Sequence, residues 1–178
     1  MDSFNIREGV LSDFAEIEPL YADAFPNEQL RPLVRALLQD TPSVLSLVAI
    51  AGSVLIGHIV FTRCSMAGGS DGVALLGPLA VAPTWQKRGV GSALVRAGLD
   101  RLRSADLDRV FVLGDPAYYS RFGFEAERSV VPPFRLPEEW RAAWQSISLR
   151  STASRLQGTL SVPPAWNEPT LWAPDAAT

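Results

Sequence analysis

The sequence predicts an α/β fold in which a mixed, mostly antiparallel sheet is flanked by helices. The chain has 178 residues, the usual length of one domain, and 47% of them are hydrophobic. Segments with apolar residues at helical spacing alternate with short runs rich in Val, Ile and Leu. Their order, β-α-α-β-β-β-α-β-α-β, is typical of a sheet that carries helices on its faces.

The N-terminal part of the chain predicts one strand and two helices. Residues 4–7 favour a strand, and Ser12 and Asp13 are candidate caps for the helix that follows. A second helix is predicted over residues 27–39, and Pro42 closes it. The apolar face of the first helix comprises Phe14, Ile17, Leu20, Tyr21 and Ala24.

The uncharged stretch over residues 45–61 approaches the lower limit of about 17 residues for a membrane-spanning helix. Turn chemistry at Ala51-Gly52-Ser53 interrupts it, and both halves are rich in β-branched residues and Leu. We therefore predict a hairpin of buried strands, residues 44–50 and 54–64, rather than a membrane segment.

A third strand is predicted over residues 73–81, and its nearly continuous apolarity indicates burial on both faces. Pro78 cannot donate a hydrogen bond, so pairing with one neighbour should be broken or bulged there. A helix over residues 89–104 and a strand over 109–113 follow. A short helix opening near Asp115 then leads to a strand at Phe124.

Composition changes near residue 125. The remaining segment holds 7 of the 14 prolines and 4 of the 5 tryptophans, but 1 of the 13 glycines. We predict a single domain over residues 1–178, with a core over about 4–125 and a C-terminal arm over about 126–178. The arm should add strands at 146–150 and 157–162. Packing of the arm is favoured over an acceptor pocket for its tryptophans, Trp140, Trp144, Trp166 and Trp172.

Charge and cysteine content exclude several classes of protein. The 16 basic and 19 acidic residues give a net charge of −3, so no overall positive field favours nucleic acid or a membrane as partner. A single cysteine, Cys64, and a single histidine, His58, form neither a disulfide nor a Cys/His zinc site, and we expect no metal. The first residues lack a secretion signal, so a cytoplasmic location is expected.

Residues 79–92 run from a strand end through a turn into a helix start. Glycines in such a turn let backbone amides approach a ligand, and the amides of Arg88 to Ser92 could hold a pyrophosphate beside the side chains of Lys87 and Arg88. The alternative is a helix start with a solvated basic pair. The segment lacks a P-loop ending, and Leu94 stands where a dinucleotide fingerprint needs glycine, which argues against nucleoside triphosphates and NAD.

Two motifs resemble the GNAT superfamily of acetyl-CoA-dependent N-acetyltransferases, in a mostly bacterial branch. The first is similar to its Gln/Arg-x-x-Gly-x-Gly/Ala signature and reads Gln86-Lys87-Arg88-Gly89-Val90-Gly91. The second is similar to Tyr-x-x-x-Gly-Phe and reads Tyr119-Ser120-Arg121-Phe122-Gly123-Phe124. The resemblance spans about residues 4–125.

The resemblance implies transfer of acetyl from acetyl-CoA to an amine by direct attack in a ternary complex. It implies that Tyr119 protonates the leaving thiolate and that the Val81 amide donates to the thioester oxygen. Tyr118 is the weaker candidate, because the family spacing selects Tyr119. The cofactor-binding residues that it implies are Leu79, Ala80, Val81, Gln86, Lys87, Arg88, Gly89, Val90, Gly91 and Ser92.

A general base is harder to identify. Many relatives place a Glu on the strand before the signature, but residues 73–81 contain none, which leaves water or a more distant group. His58 is a second-rank candidate, because a buried, neutral histidine satisfied by hydrogen bonds is favoured in an apolar strand. Asp23 and Glu28 are further candidates, and for Asp115 capping of the short helix is favoured.

Three alternatives stay open for function: a non-catalytic acyl-CoA-binding or sensing module, a transferase for other acyl groups, and an alcohol acceptor. The amine acceptor could be a small molecule or a peptide, and the apolar arm makes a homodimer plausible. Gly68-Gly69-Ser70-Asp71-Gly72 matches a serine-hydrolase pattern, but a strand follows it and His58 precedes it. Cys64 is expected in the core.

Overall fold

The computed structural model describes residues 3–69, 72–150 and 155–173. It confirms a mixed, mostly antiparallel open sheet flanked by helices. The strands are β1 (Asn5–Glu8), β2 (Val44–Ala51), β3 (Val54–Met66), β4 (Val73–Val81), β5 (Arg109–Leu113), β6 (Glu125–Ala126), β7 (Val130–Val131), β8 (Trp144–Ser148) and β9 (Gly158–Ser161). The α-helices are α1 (Phe14–Ala24), α2 (Arg31–Gln39), α3 (Val90–Ser104) and α4 (Pro116–Tyr119).

The chain divides into two compact units, each made of two segments. The first unit comprises Met1–Thr62 and Leu76–Arg101, and the second comprises Arg63–Leu75 and Leu102–Thr178. Strands β3 and β4 and helix α3 therefore each contribute residues to both units. This division differs from the expected core and arm, because the segment that follows α3 groups with the arm. A single domain over the whole chain stays a prediction.

The first unit is built on strands in the order β1-β2-β3-β4. Strand β2 pairs antiparallel with β1, where Ile6 faces Ala49, and with β3, where Val48 faces His58. One side chain cluster joins helices α1 and α2 to these strands, since it shields apolar groups from water. Its buried members are Ile17, Leu20, Tyr21, Val34, Val48, Leu55 and Ala80.

Helix α3 lies unusually close to β3 because two glycines leave room for it. A Cβ atom on Gly98 would lie 2.0 Å from Cε2 of Phe61, which is buried in β3. A Cβ atom on Gly57 would lie 2.9 Å from Cγ1 of Val90 and 3.0 Å from Cδ1 of Leu94. The side chains of Val90 and Leu94 at the start of α3 therefore pack over Gly57, and the Phe61 ring packs over Gly98 in the middle of the helix.

In the second unit β8 pairs antiparallel with β5 and β6, while β9 pairs with the end of β3 and, in parallel, with β7. The expected arm strands therefore exist, at Trp144–Ser148 and Gly158–Ser161. Trp172 is 1% exposed and packs with Trp144 and Phe111 in the core of this unit, and Cys64 lies in the same cluster. Both results confirm the sequence analysis.

The sequence prediction was wrong about the residue at which α2 begins and about the side chain that caps α1. Helix α2 begins at Arg31 rather than at residue 27, and Pro32 occupies its first turn, where a missing N–H costs nothing. No side chain caps α1, which follows a short 3-10 turn. The Asp13 carboxylate instead accepts hydrogen bonds from Arg7, at 2.7 and 2.8 Å, and from the Val10 amide at 2.8 Å. Hydrogen bonding to Arg7 lowers the Asp13 pKa.

The variant Gly98→Ala tests the close approach of α3. The added methyl group overlaps the Phe61 ring, and overpacking of this kind costs about 1–3 kcal/mol. We expect urea denaturation to show a loss of that size in the free energy of unfolding. The loss should shrink in a Phe61→Leu background, where the overlapping ring atoms are gone. An equal loss in both backgrounds would contradict this packing.

Candidate functional site

Strand β4 leads directly into the first turn of α3. After Val81 the chain makes a 3-10 turn over Pro83–Trp85 and a further turn, and α3 starts at Val90. The first amides of a helix have no acceptor within the helix, and the helix dipole adds partial positive charge there. The start of this 15-residue helix therefore has the properties of an anion site.

The backbone of the turn before α3 is exposed, with open space at Gly89. Lys87 has φ 61° and Gly89 has φ 86°, both in the left-handed region, and both residues are exposed. A Cβ atom on Gly89 would meet nothing within 4 Å. The Arg88 guanidinium lies 5.5 Å from the centre of the Trp85 ring. Basic groups and open backbone thus occur together at the helix start.

Hydrogen bonds connect the end of β4 to this turn and to β3. The Gln86 side chain donates a hydrogen bond from Nε2 to the Val81 carbonyl at 3.1 Å. The Ala82 amide donates to the Ile56 carbonyl at 2.8 Å, so contact with β3 extends beyond the last residue of β4. Ala80 is buried, while Leu79 and Val81 are half-buried. The predicted cofactor-binding residues all lie in the first unit, on this strand and turn.

Tyr119 lies in the second unit, on helix α4, and is 9% exposed. Its ring fills the space next to Gly114, where a Cβ atom would lie 2.5 Å from Cε2 of Tyr119. Burial raises the pKa of Tyr119 well above its ordinary value, and the neighbouring Tyr118 adds to the effect. The phenol is therefore protonated at neutral pH, as a proton donor must be.

Asp115 caps α4, as the sequence analysis favoured. Its Oδ1 accepts a hydrogen bond from the Ala117 amide at 2.9 Å. This contact fixes the start of the short helix that carries Tyr119. The other two acidic candidates for a base, Asp23 and Glu28, are both exposed in the first unit.

His58 lies on β3 and is 0% exposed. Its Nδ1 atom is 2.9 Å from the Tyr21 hydroxyl, and its Nε2 atom is 2.8 Å from the Ser46 hydroxyl. Burial lowers the His58 pKa to about 3, against a smaller opposing effect of the Asp13 charge. A neutral, hydrogen-bonded core histidine accounts for all of these contacts, and the role of base stays a prediction.

Several polar partners were missed by sequence reasoning. Tyr21 was assigned only to an apolar helix face, although a hydroxyl on such a face needs a buried partner. Glu127 was not singled out, yet its side chain is 5% exposed and bonds to Arg109, Ser146 and the amide of Val130. Burial alone would raise the Glu127 pKa, but these contacts together lower it.

No group of three or more His, Cys, Asp or Glu in the described residues could hold a metal ion. Among the same residues, no helix has both the length and the apolarity needed to cross a membrane.

Strand β4, the turn with the Gln86–Gly91 motif and the start of α3 form the arrangement that the resemblance to acetyltransferases predicts. The model of the acetyltransferase (GNAT) family matches residues 14–124, and the chain belongs to that family. The resemblance drawn from the two motifs is thereby confirmed.

Relatives and solved structures agree with this membership. The chain is 38% identical to the uncharacterized N-acetyltransferase YjhQ of Escherichia coli over 83% of this chain and 85% of that protein. It is similar to the crystal structure of the E. coli N-acetyltransferase YhbS in complex with CoA, with a TM-score of 0.86, 29% identity and 94% of each chain covered. A Brucella melitensis acetyltransferase in complex with acetyl-CoA has a TM-score of 0.76 and 30% identity, with 94% and 100% covered.

The burial of His58 predicts a specific pH dependence of stability. The unfolded chain takes up a proton on this residue below pH 6.5, whereas the folded chain does so only at about 3. The free energy of unfolding should therefore fall as the pH drops below 6.5, by about 2 kcal/mol at pH 5. Urea denaturation of the wild type and of His58→Gln at pH 7 and pH 5 measures this difference.

The His58→Gln variant keeps the carboxylates, whose own titration affects both proteins equally. The fall between pH 7 and pH 5 should therefore be smaller in the variant by about the contribution of His58. The same fall in both proteins would show that His58 is not buried as a neutral group.

Proposed function

We propose that this protein transfers the acetyl group of acetyl-CoA to the amine of an acceptor by direct attack in a ternary complex. The observation that carries the proposal is the open turn at residues 86–89, which joins an apolar strand to the start of α3. Two relatives of known structure support the choice of co-substrate, since YhbS is in complex with CoA and the Brucella protein with acetyl-CoA.

In this proposal the backbone of residues 79–81 pairs with the pantetheine arm as an added strand would. The pyrophosphate lies at the helix start, where unpaired amides and basic side chains favour its negative charge. The residues assigned to the turn and helix start are Gln86, Lys87, Arg88, Gly89, Val90, Gly91 and Ser92. Gln86 holds the turn to Val81 through its side chain.

The acceptor nitrogen attacks the thioester carbon, and negative charge develops on the thioester oxygen. The Val81 amide is assigned to donate a hydrogen bond to that oxygen. As the C–N bond forms, the C–S bond breaks and the CoA thiolate leaves with the electron pair. Tyr119, which is protonated at neutral pH, is assigned to give its proton to the thiolate. Tyr119 then regains a proton from solvent.

The nitrogen must also lose a proton. No residue of β4 carries a carboxylate, so water is the simplest acceptor of this proton. His58 is the second-rank protein candidate, beside the exposed Asp23 and Glu28, but both of its ring nitrogens are engaged with Tyr21 and Ser46. For it to act as a base, one of these hydrogen bonds would have to break.

The absence of a carboxylate from β4 also supports a second candidate function, a module that binds acyl-CoA without turning it over. A transferase for a longer acyl group, or one acting on an alcohol, is a further variant of the proposal. The acceptor is assigned only as a small molecule or a peptide. A cytoplasmic location and a homodimer stay predictions. Turnover of acetyl-CoA with an amine would exclude the non-catalytic module.

The variant Tyr119→Phe tests the assigned acid. Removing a general acid typically lowers the rate by about 10²–10⁴-fold. The acceptor for this assay is an amine chosen from a panel by the release of CoA thiol. With this amine we expect Tyr119→Phe to lower kcat by about 10²-fold or more. The affinity of the variant for acetyl-CoA, measured by calorimetry, should stay unchanged.

Tyr118→Phe is the matched control, because Tyr118 is the adjacent phenol and lies against Arg121. Its kcat should stay within about twofold of the wild type. Full turnover by Tyr119→Phe would remove Tyr119 from the mechanism. If the wild type binds acetyl-CoA but turns over no amine in the panel, the non-catalytic module would be favoured.

A further inference from the structure

The second unit contains a cavity of about 880 Å³ whose lining residues have no assigned role in the proposed reaction. Its wall is formed by the chain that follows β6, by the 3-10 turn before β8, and by residues of β8 and β9. All of these residues belong to the second unit, whereas the residues assigned to acetyl-CoA on β4 and the turn lie in the first. The volume falls in the range of about 300–1,000 Å³ that small-molecule sites occupy.

Much of the wall is apolar. Val130 and Trp144 are almost fully buried, and Phe134 and Leu136 are partly buried against the core of the second unit. The Trp144 indole donates its N–H to the Val130 carbonyl at 2.8 Å, so its one polar atom is already satisfied. Val131, which also lines the cavity, is 50% exposed. A ligand with an apolar body would remove this surface from water.

Positive charge also lines the cavity. Arg128, Arg135 and Arg141 are part of its wall, and all three are exposed. Arg141 pairs with Glu138 at 3.5 Å. Over the described part of the chain, neither Arg128 nor Arg135 has an acidic partner within 4 Å. These two guanidinium groups therefore remain able to bind an anion.

One carboxylate lines the same cavity, and its charge is compensated. Glu127 accepts hydrogen bonds from the amides of Ser129 and Val130 and from the Ser146 hydroxyl, at 2.7 to 3.0 Å. It also pairs with Arg109 at 3.3 Å. Its oxygens are thus directed to protein donors. The net charge presented to a ligand is positive and comes from the arginines.

We propose that this cavity is a second binding site, which takes a small molecule with an apolar body and one anionic group. Arginine binds carboxylates and phosphates through paired N–H groups, so the anion is of one of these two kinds. The apolar body would lie against Trp144 and Phe134, and the anion would pair with Arg128 and Arg135. This proposal does not depend on acetyl transfer.

Octanoate is the probe, because it combines an eight-carbon apolar chain with one carboxylate. We expect it to shift the backbone amide NMR signals of residues 126–136 and the indole signal of Trp144 in a saturable titration. Octylamine and octanol have the same chain without the negative charge, and they should bind at least tenfold more weakly. Octyl phosphate distinguishes the two anions by whether it binds more tightly or more weakly than octanoate.

The variant Arg128→Gln, Arg135→Gln removes the proposed anion partners from exposed positions, so the fold should be kept. We expect at least a tenfold loss of octanoate affinity. The matched control Arg31→Gln, Arg63→Gln removes two exposed arginines that do not line this cavity and should leave the affinity unchanged. A second variant, Ala142→Trp, places an indole at an exposed position of the wall and should block the probe.

Four results would overturn the proposal. The first is no saturable shift with octanoate or octyl phosphate in the wild type. The second is binding of octylamine as tight as that of octanoate, which would remove the role of the arginines. The third is the same octanoate affinity in the Arg128→Gln, Arg135→Gln variant and in its control. The fourth is a set of shifts confined to residues outside the cavity wall.

Discussion

The close approach of α3 to β3 is the constraint on which the first unit depends. Gly57 and Gly98 carry no side chain, and the side chains of Val90, Leu94 and Phe61 occupy the space next to them. Because close-packed interiors tolerate little displacement, the helix start is fixed relative to the strand. The amides of its first turn can then face a ligand without reorganisation on binding. The position of the turn is therefore set by the side-chain packing between α3 and β3.

Burial also sets the protonation of the groups most relevant to chemistry. It raises the pKa of Tyr119 and lowers that of His58 to about 3, so both side chains are neutral at pH 7. A neutral phenol can donate a proton, which suits the acid role. A neutral imidazole held between Tyr21 and Ser46 is better explained as a satisfied core group. Burial is thus compatible with the acid role of Tyr119, whereas it makes the base role of His58 less economical.

Much of this architecture could be predicted because local rules applied. The apolar runs at 73–81 and 109–113 and the glycine-bounded helix start gave β4, β5 and α3 with their observed bounds, within one residue. The division into units could not be read, because it depends on contacts between distant segments. Likewise, Glu127 looked like an ordinary surface carboxylate, and only folding brings Arg109 and Ser146 to it. The cavity beside it has no sequence signature for the same reason.

The most direct test of the account is a calorimetric titration of acetyl-CoA into the wild type, Gly89→Glu and Gly52→Glu. Both glycines have a positive φ, 86° and 60°, and open space around a Cβ atom, so each variant places a glutamate at an open, left-handed position and adds the same charge. Only Gly89 lies in the turn before α3. We expect Gly89→Glu to lower the affinity for acetyl-CoA at least tenfold and Gly52→Glu to leave that affinity unchanged. No binding by the wild type, or equal binding by both variants, would contradict it.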